Sequence, residues 1–132
     1  VRANMMVGLP NETPEKLKRS VKLLCKANPD YVKFNITTPY PGTKLYDQVK
    51  EGMWGTMIDD MEKYTHYNAT FLPNGYKDLK EVERMRRYAF TKFYLRPSYI
   101  IPKILSIRSM TDIRRYYDGF SAVKSLALSI IK

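Results

Sequence analysis

One cysteine and one histidine are the only thiol and imidazole side chains among 132 residues. The single cysteine, Cys25, excludes an internal disulfide and any multi-cysteine metal or cluster site built by this chain alone. His66 stands in Tyr64-Thr-His-Tyr67 without partners at ligand spacing, and Asp59, Asp60 and Glu62 have no His or Cys beside them. The acidic segment reads as a surface turn. Long apolar runs are missing too. The stretch Leu126-Ala-Leu-Ser-Ile-Ile131 falls far short of the ~20 residues of a helical membrane span. No secretory leader pattern is visible, because the chain opens on the strand-like Val1-Arg-Ala-Asn-Met-Met-Val7. With the lone cysteine, this makes a cytoplasmic setting the expectation. A start on Val inside an apparent strand makes a piece of a longer protein the expectation as well.

Acidic residues are scarce. The chain has 13 Asp/Glu against 23 Lys/Arg, a net charge of +10. Residues 1–77 carry 11 basic and 8 acidic side chains; residues 78–132 carry 12 and 5. A basic half can attract nucleic acid or anionic lipid. No block of five like charges occurs, so a solvated helical face is the simpler expectation. The clusters Arg84, Arg86, Arg87 with Tyr88, and Arg114-Arg115-Tyr-Tyr117, read first as helix faces anchored by aromatics. Their alternative partners are tRNA, an anionic lipid head group or an acidic substrate.

What is present is enough for one core. The hydrophobic fraction is an ordinary 44%, and a chain of this length matches the usual domain size. Gly8-Leu-Pro10 closes the first strand, and Thr13-Pro14-Glu15 reads as an N-cap, a proline at the first helical position and an acidic first turn. Leu17, Val21, Leu24 and Cys25 then form one helical stripe, stopped by Asn28-Pro29-Asp30. In Tyr31-Val-Lys-Phe-Asn-Ile-Thr37, Val32, Phe34 and Ile36 alternate with Lys33, Asn35 and Thr37, the pattern of a strand. Thr43 can cap a short helix with Leu45, Tyr46 and Val49, ended by Gly52. Strand, helix, strand, helix with a helix-length crossover predicts a parallel βα unit over residues 1–55.

Residues 56–77 lack clean periodicity and read as a connecting segment. Asp78-Leu-Lys-Glu81 resembles a capping box and opens a helix with the stripe Leu79, Val82, Met85, Ala89 and Phe93. Arg96-Pro97 ends it, and Ser109-Met-Thr-Asp112 can cap a last helix carrying Ile113, Tyr116, Tyr117, Phe120, Val123, Ala127 and Ile130. Residues 78–132 are therefore expected to form a basic helical extension.

In parallel α/β architectures ligands bind where loops leave the carboxyl ends of the strands. One helical crossover puts Gly8-Leu-Pro10 and Thr38-Pro-Tyr-Pro-Gly42 on the same rim. Glycine permits close backbone approach, and proline stiffens a loop while removing a donor. Lys33, Asn35 and Thr37 on one strand and Arg2 and Asn4 on the other make a polar strand face, as in a wet, lined cavity.

Three spaced motifs agree in order: Met6-Val-Gly-Leu-Pro-Asn-Glu-Thr-Pro-Glu15, Asn28-Pro-Asp-Tyr-Val32 and Thr38-Pro-Tyr-Pro-Gly-Thr-Lys-Leu-Tyr46. Together they resemble the second half of the radical S-adenosylmethionine domain, in its methylthiotransferase and cobalamin-binding type. The similarity covers residues 1 to about 50, and Phe93-Tyr-Leu-Arg-Pro-Ser-Tyr-Ile100 resembles the helical extension of the cobalamin-binding branch. The resemblance implies the C-terminal part, two parallel strands and helices, of a partial TIM-like (β/α)6 barrel, followed by an α-helical tail. It implies an S-adenosylmethionine-cleaving enzyme with a [4Fe-4S] cluster, generating a 5′-deoxyadenosyl radical, and cobalamin in one branch. It also implies that Asn4, Met6, Gly8, Leu9 and Pro10 line the S-adenosylmethionine side, while Ile36, Thr38, Pro39 and Tyr40 flank the adenine. The three-cysteine loop that holds the cluster in that family is missing from this chain. The expected partner is the remainder of the barrel, with a small-molecule or lipid-like substrate, and this chain alone is expected to be inactive. Asn11 stands where the family pattern has glycine, and asparagine tolerates the positive φ such a turn needs. The competing reading is a non-catalytic module whose basic tail meets RNA or lies peripherally on a membrane surface.

Overall fold

A computed structural model describes residues 1–58 and 68–105. Asp59, Asp60, Glu62, His66, the cap at Ser109–Asp112, and the expected last helix with Arg114 and Arg115 lie outside the described residues. The chain divides into two compact units, Val1–Arg86 and Arg87–Lys132.

The first unit is built on a parallel pair, β1 (Arg2–Val7) and β2 (Tyr31–Ile36), joined by α1 (Pro14–Ala27). Ala3 lies opposite Val32, Met5 opposite Phe34 and Val7 opposite Ile36. A helix that joins adjacent parallel strands lies against one face of the sheet. Accordingly Leu17 and Val21 of α1 are buried together with Val7, Val32, Phe34 and Ile36, while Arg2, Asn4, Met6, Tyr31 and Lys33 alternate with them and stay exposed. One face of this sheet is core and the other is open. Leu24 and Cys25, expected on the apolar stripe of α1, are half-buried at its margin.

Local chemistry sets the helix ends. Thr13 caps α1 by accepting from the Lys16 amide, Pro14 follows at the first position, and Asn28 closes it in a left-handed conformation at φ 49°. Thr43 repeats the device for α2 (Lys44–Lys50), accepting from the Tyr46 amide at 3.3 Å. Tyr46 and Val49 are its buried residues.

Residues 53–77 contain more regular structure than their composition suggests. β3 (Gly55–Met57) and β4 (Phe71–Pro73) form an antiparallel pair. Strands of three residues are too short to display an alternation, which is why no period is visible there. A side chain on Gly55 would place its Cβ 2.0 Å from the Leu72 carbonyl, so the two strands meet at this point only through glycine.

α3 (Leu79–Tyr94) begins at a cap close to the expected one. Asp78 accepts from the Glu81 amide at 2.6 Å, and Glu81 accepts from the Lys77 amide at 2.8 Å, one residue before the position a standard capping box uses. Val82, Met85, Ala89 and Phe93 are buried in the expected register, with Leu79 half-buried. In the second unit the end of α3 meets α4 (Pro97–Leu105) through rings: Phe93 and Tyr94 lie 5.2 Å from Tyr99, and the Arg96 guanidinium sits 4.3 Å from the Phe93 centroid. α4 runs through Pro102, where the ring removes an amide donor from the helix interior. Among the described residues the sheets have two strands each and no barrel closes. No described helix is long and apolar enough to cross a membrane.

Candidate functional site

Both parallel strands exit through the same kind of turn. After β1, the Glu12 amide donates to the Leu9 carbonyl at 3.0 Å, with Pro10 second in the turn and Asn11 third at φ 59°. After β2, the Thr43 amide donates to the Tyr40 carbonyl at 3.1 Å, with Pro41 second and Gly42 third at φ 84°. Proline pre-sets the second position, and the third needs a residue that accepts positive φ. Each turn runs directly into a threonine cap. Asn11 therefore does the work expected of glycine at that place.

Gly8 is the hinge of the first loop. Its φ is 80°, and a Cβ there would come within 3.1 Å of Val82 Cγ1 and 3.7 Å of Pro73 Cγ. The loop is closed internally by Glu12. Its Oε2 accepts from the Gly8 amide at 2.5 Å, the Leu9 amide at 3.3 Å and the Tyr76 hydroxyl at 3.0 Å. Burial and the neighbouring Glu12 carboxylate push the Tyr76 phenol well above its ordinary range, so it stays a donor. Gly75 allows this approach, since a Cβ there would meet the Glu12 carbonyl at 2.0 Å.

The residues expected to form the site fall into three groups. Asn4 and Met6 lie on the open sheet face, opposite Lys33 and Asn35 in register. Leu9 and Tyr40, each 42% exposed, stand on the loops at the carboxyl end of that sheet, with Met6 at 40%. Gly8, Pro39 and Ile36 are buried, and Pro10 and Thr38 are half-buried. Ile36 belongs by alternation to the covered face with Val32 and Phe34, away from Asn4 and Met6. Lys33 and Asn35 fall on the same face as Asn4 and Met6, as their alternation in the sequence predicts, whereas Thr37 of the same expected polar face is buried.

Polar atoms without partners gather at the end of β2. Asn35 Oδ1, Thr37 Oγ1 and Thr38 Oγ1 are buried and make no hydrogen bond, with Thr37 only 4% exposed. Three such atoms in four residues are unusual, because buried polar groups are nearly always satisfied. Among the described residues no group of three His, Cys, Asp or Glu could hold a metal ion.

No protein-family model matches the chain. It is similar to an uncharacterized methyltransferase of Pyrococcus horikoshii, with 31% identity over 109 residues, covering 76% of this chain and 22% of that protein. It is also similar to the anaerobic magnesium-protoporphyrin IX monomethyl ester cyclase of Rubrivivax gelatinosus, with 25% identity over 129 residues, covering 88% of this chain and 23% of the cyclase. The chain thus spans somewhat over a fifth of the length of these two relatives.

Proposed function

We propose that this chain supplies the S-adenosylmethionine-facing part of a radical S-adenosylmethionine enzyme that acts on a small molecule. The observation that carries the reading is the half-covered parallel sheet, with two proline-turn loops leaving the same rim. Parallel sheets are normally buried on both faces. A face open at Asn4, Met6 and Lys33 suits the lumen of a barrel completed by further strands, and that remainder of the barrel is the partner this reading requires. The relatives support it in kind, since one is named a methyltransferase and the other a cyclase. Their greater length is in keeping with a chain that works beside other segments.

The group itself can be matched to residues. Met6, Leu9 and Tyr40 offer apolar surface at the rim for an adenine ring. Bound there, S-adenosylmethionine supplies an activated sulfonium; the residues of this chain bind and orient it. The iron–sulfur cluster does not fit this chain. Cys25 is its single cysteine, half-buried on α1, and the described residues hold no alternative ligand set.

Titration of the 132-residue chain with S-adenosylmethionine, followed by amide NMR shifts, tests the reading. Shifts are expected at Asn4, Met6, Gly8, Leu9, Thr38 and Tyr40, with no iron–sulfur absorbance after anaerobic reconstitution. Shifts confined to the basic residues of α3 and α4, or a cluster bound by this chain alone, overturn it.

A further inference from the structure

A loop that leaves a parallel strand through glycine and enters a helix N-terminus is the usual seat of an external anion, held by backbone amides. Here that position is filled from within. Glu12 Oε2 takes the Gly8 and Leu9 amides, and Tyr76 donates to the same oxygen from outside the loop. Two glycines make the arrangement sterically feasible: Gly8 beside Pro73 and Val82, and Gly75 against the Glu12 carbonyl. The groups that brace the loop from outside, Pro73, Gly75, Tyr76 and Val82, all come from residues 73–82, far from it in sequence. With both amides and the Leu9 carbonyl engaged inside the loop, what it turns outward at Leu9 is an apolar side chain.

We infer that Tyr76 is a positioning residue for the rim: through Glu12 it holds Gly8-Leu-Pro10 in the one conformation that presents Leu9 to the ligand and closes the loop to external anions. The ligand half of this inference rests on the S-adenosylmethionine reading above; the clamp itself does not. A carboxylate that accepts three hydrogen bonds is a stiff anchor, because bonds to a charged acceptor are stronger than those between neutral groups.

Hydrogen exchange of the 132-residue chain, with the variants Tyr76→Phe and Glu12→Gln, decides it. In Tyr76→Phe the Gly8 and Leu9 amides are expected to exchange about tenfold faster, the change that follows from losing one bond to a charged group. The β2 amides should keep their wild-type rates. Glu12→Gln retains the shape and a neutral acceptor and should restrain the loop only partly. Unchanged rates at Gly8 and Leu9, or one uniform increase that includes β2, overturn the inference. If Tyr76→Phe does not fold, Glu12→Gln is read by the same rates. S-adenosylmethionine shifts that weaken about tenfold in Tyr76→Phe, alongside local loosening, support the ligand half. Faster loop exchange together with no S-adenosylmethionine binding by the wild type upholds the clamp and overturns the ligand reading.

Discussion

At the scale of single residues, two glycines on the rim carry different burdens. Gly8 and Gly42 share positive φ, at 80° and 84°, but only Gly8 has neighbours where a Cβ would go. Gly42→Ala should therefore cost the backbone term alone, about 1 kcal/mol. Gly8→Ala adds a clash with Val82 and should cost about 2–3 kcal/mol. Urea midpoints of the two variants measure the difference, and equal losses would show that Val82 moves aside without cost. Glu12 was legible in the sequence as part of a motif, but its three donors were not. Nothing between positions 12 and 76 announces that a tyrosine 64 residues away completes the bond. Lys33 and Asn35 were legible by alternation, whereas the unpartnered state of Asn35 Oδ1 required the packing around it.

At the scale of elements, the helix ends were the most readable part. Thr13, Thr43 and Asp78 each cap the helix that their position predicts, because capping is a contact within four residues. Glu15 in the first turn of α1 gives this a pH dependence. Its carboxyl is held below the usual 4.5, first by a backbone hydrogen bond, then by the Thr13 hydroxyl and the charges of Lys18 and Arg19. A depressed carboxylate stabilises the fold above its ordinary value and loses that contribution as pH falls through the lowered one. The wild type should thus melt higher than Glu15→Gln at neutral pH, and the gap should vanish in acid. A gap that is constant with pH in thermal melts would rule the effect out. β3 and β4 were the least readable elements. They are three residues each, and their close approach at Gly55 requires the absence of a side chain, which leaves no trace in hydrophobic pattern.

At the scale of the whole molecule, the sheet divides the chain into a face that holds it together and a face that is available. Phe34 is 3% exposed on the covered side, so Phe34→Ala should cost about 3–5 kcal/mol. Lys33→Ala, next to it on the open side, should change stability by less than about 0.5 kcal/mol. Both are read from chemical denaturation, and a large loss at Lys33 would place that face in the core. The division at Arg86 and Arg87 falls inside α3, so the helix that looked like the start of a separate extension contributes Val82 and Met85 to the first unit.

The sequence by itself determined the parallel βαβα order, the caps, the buried stripes of α1, β2 and α3, and the shared rim of the two proline loops. Those follow from periods of two and 3.6 and from contacts a few residues long, which any local stretch records. Only the tertiary structure decided that residues 73–82 brace the first loop, and that Tyr76 completes the bonds Glu12 makes there. These depend on which distant segments meet, and that choice is made by packing across the fold rather than by any neighbour in the chain.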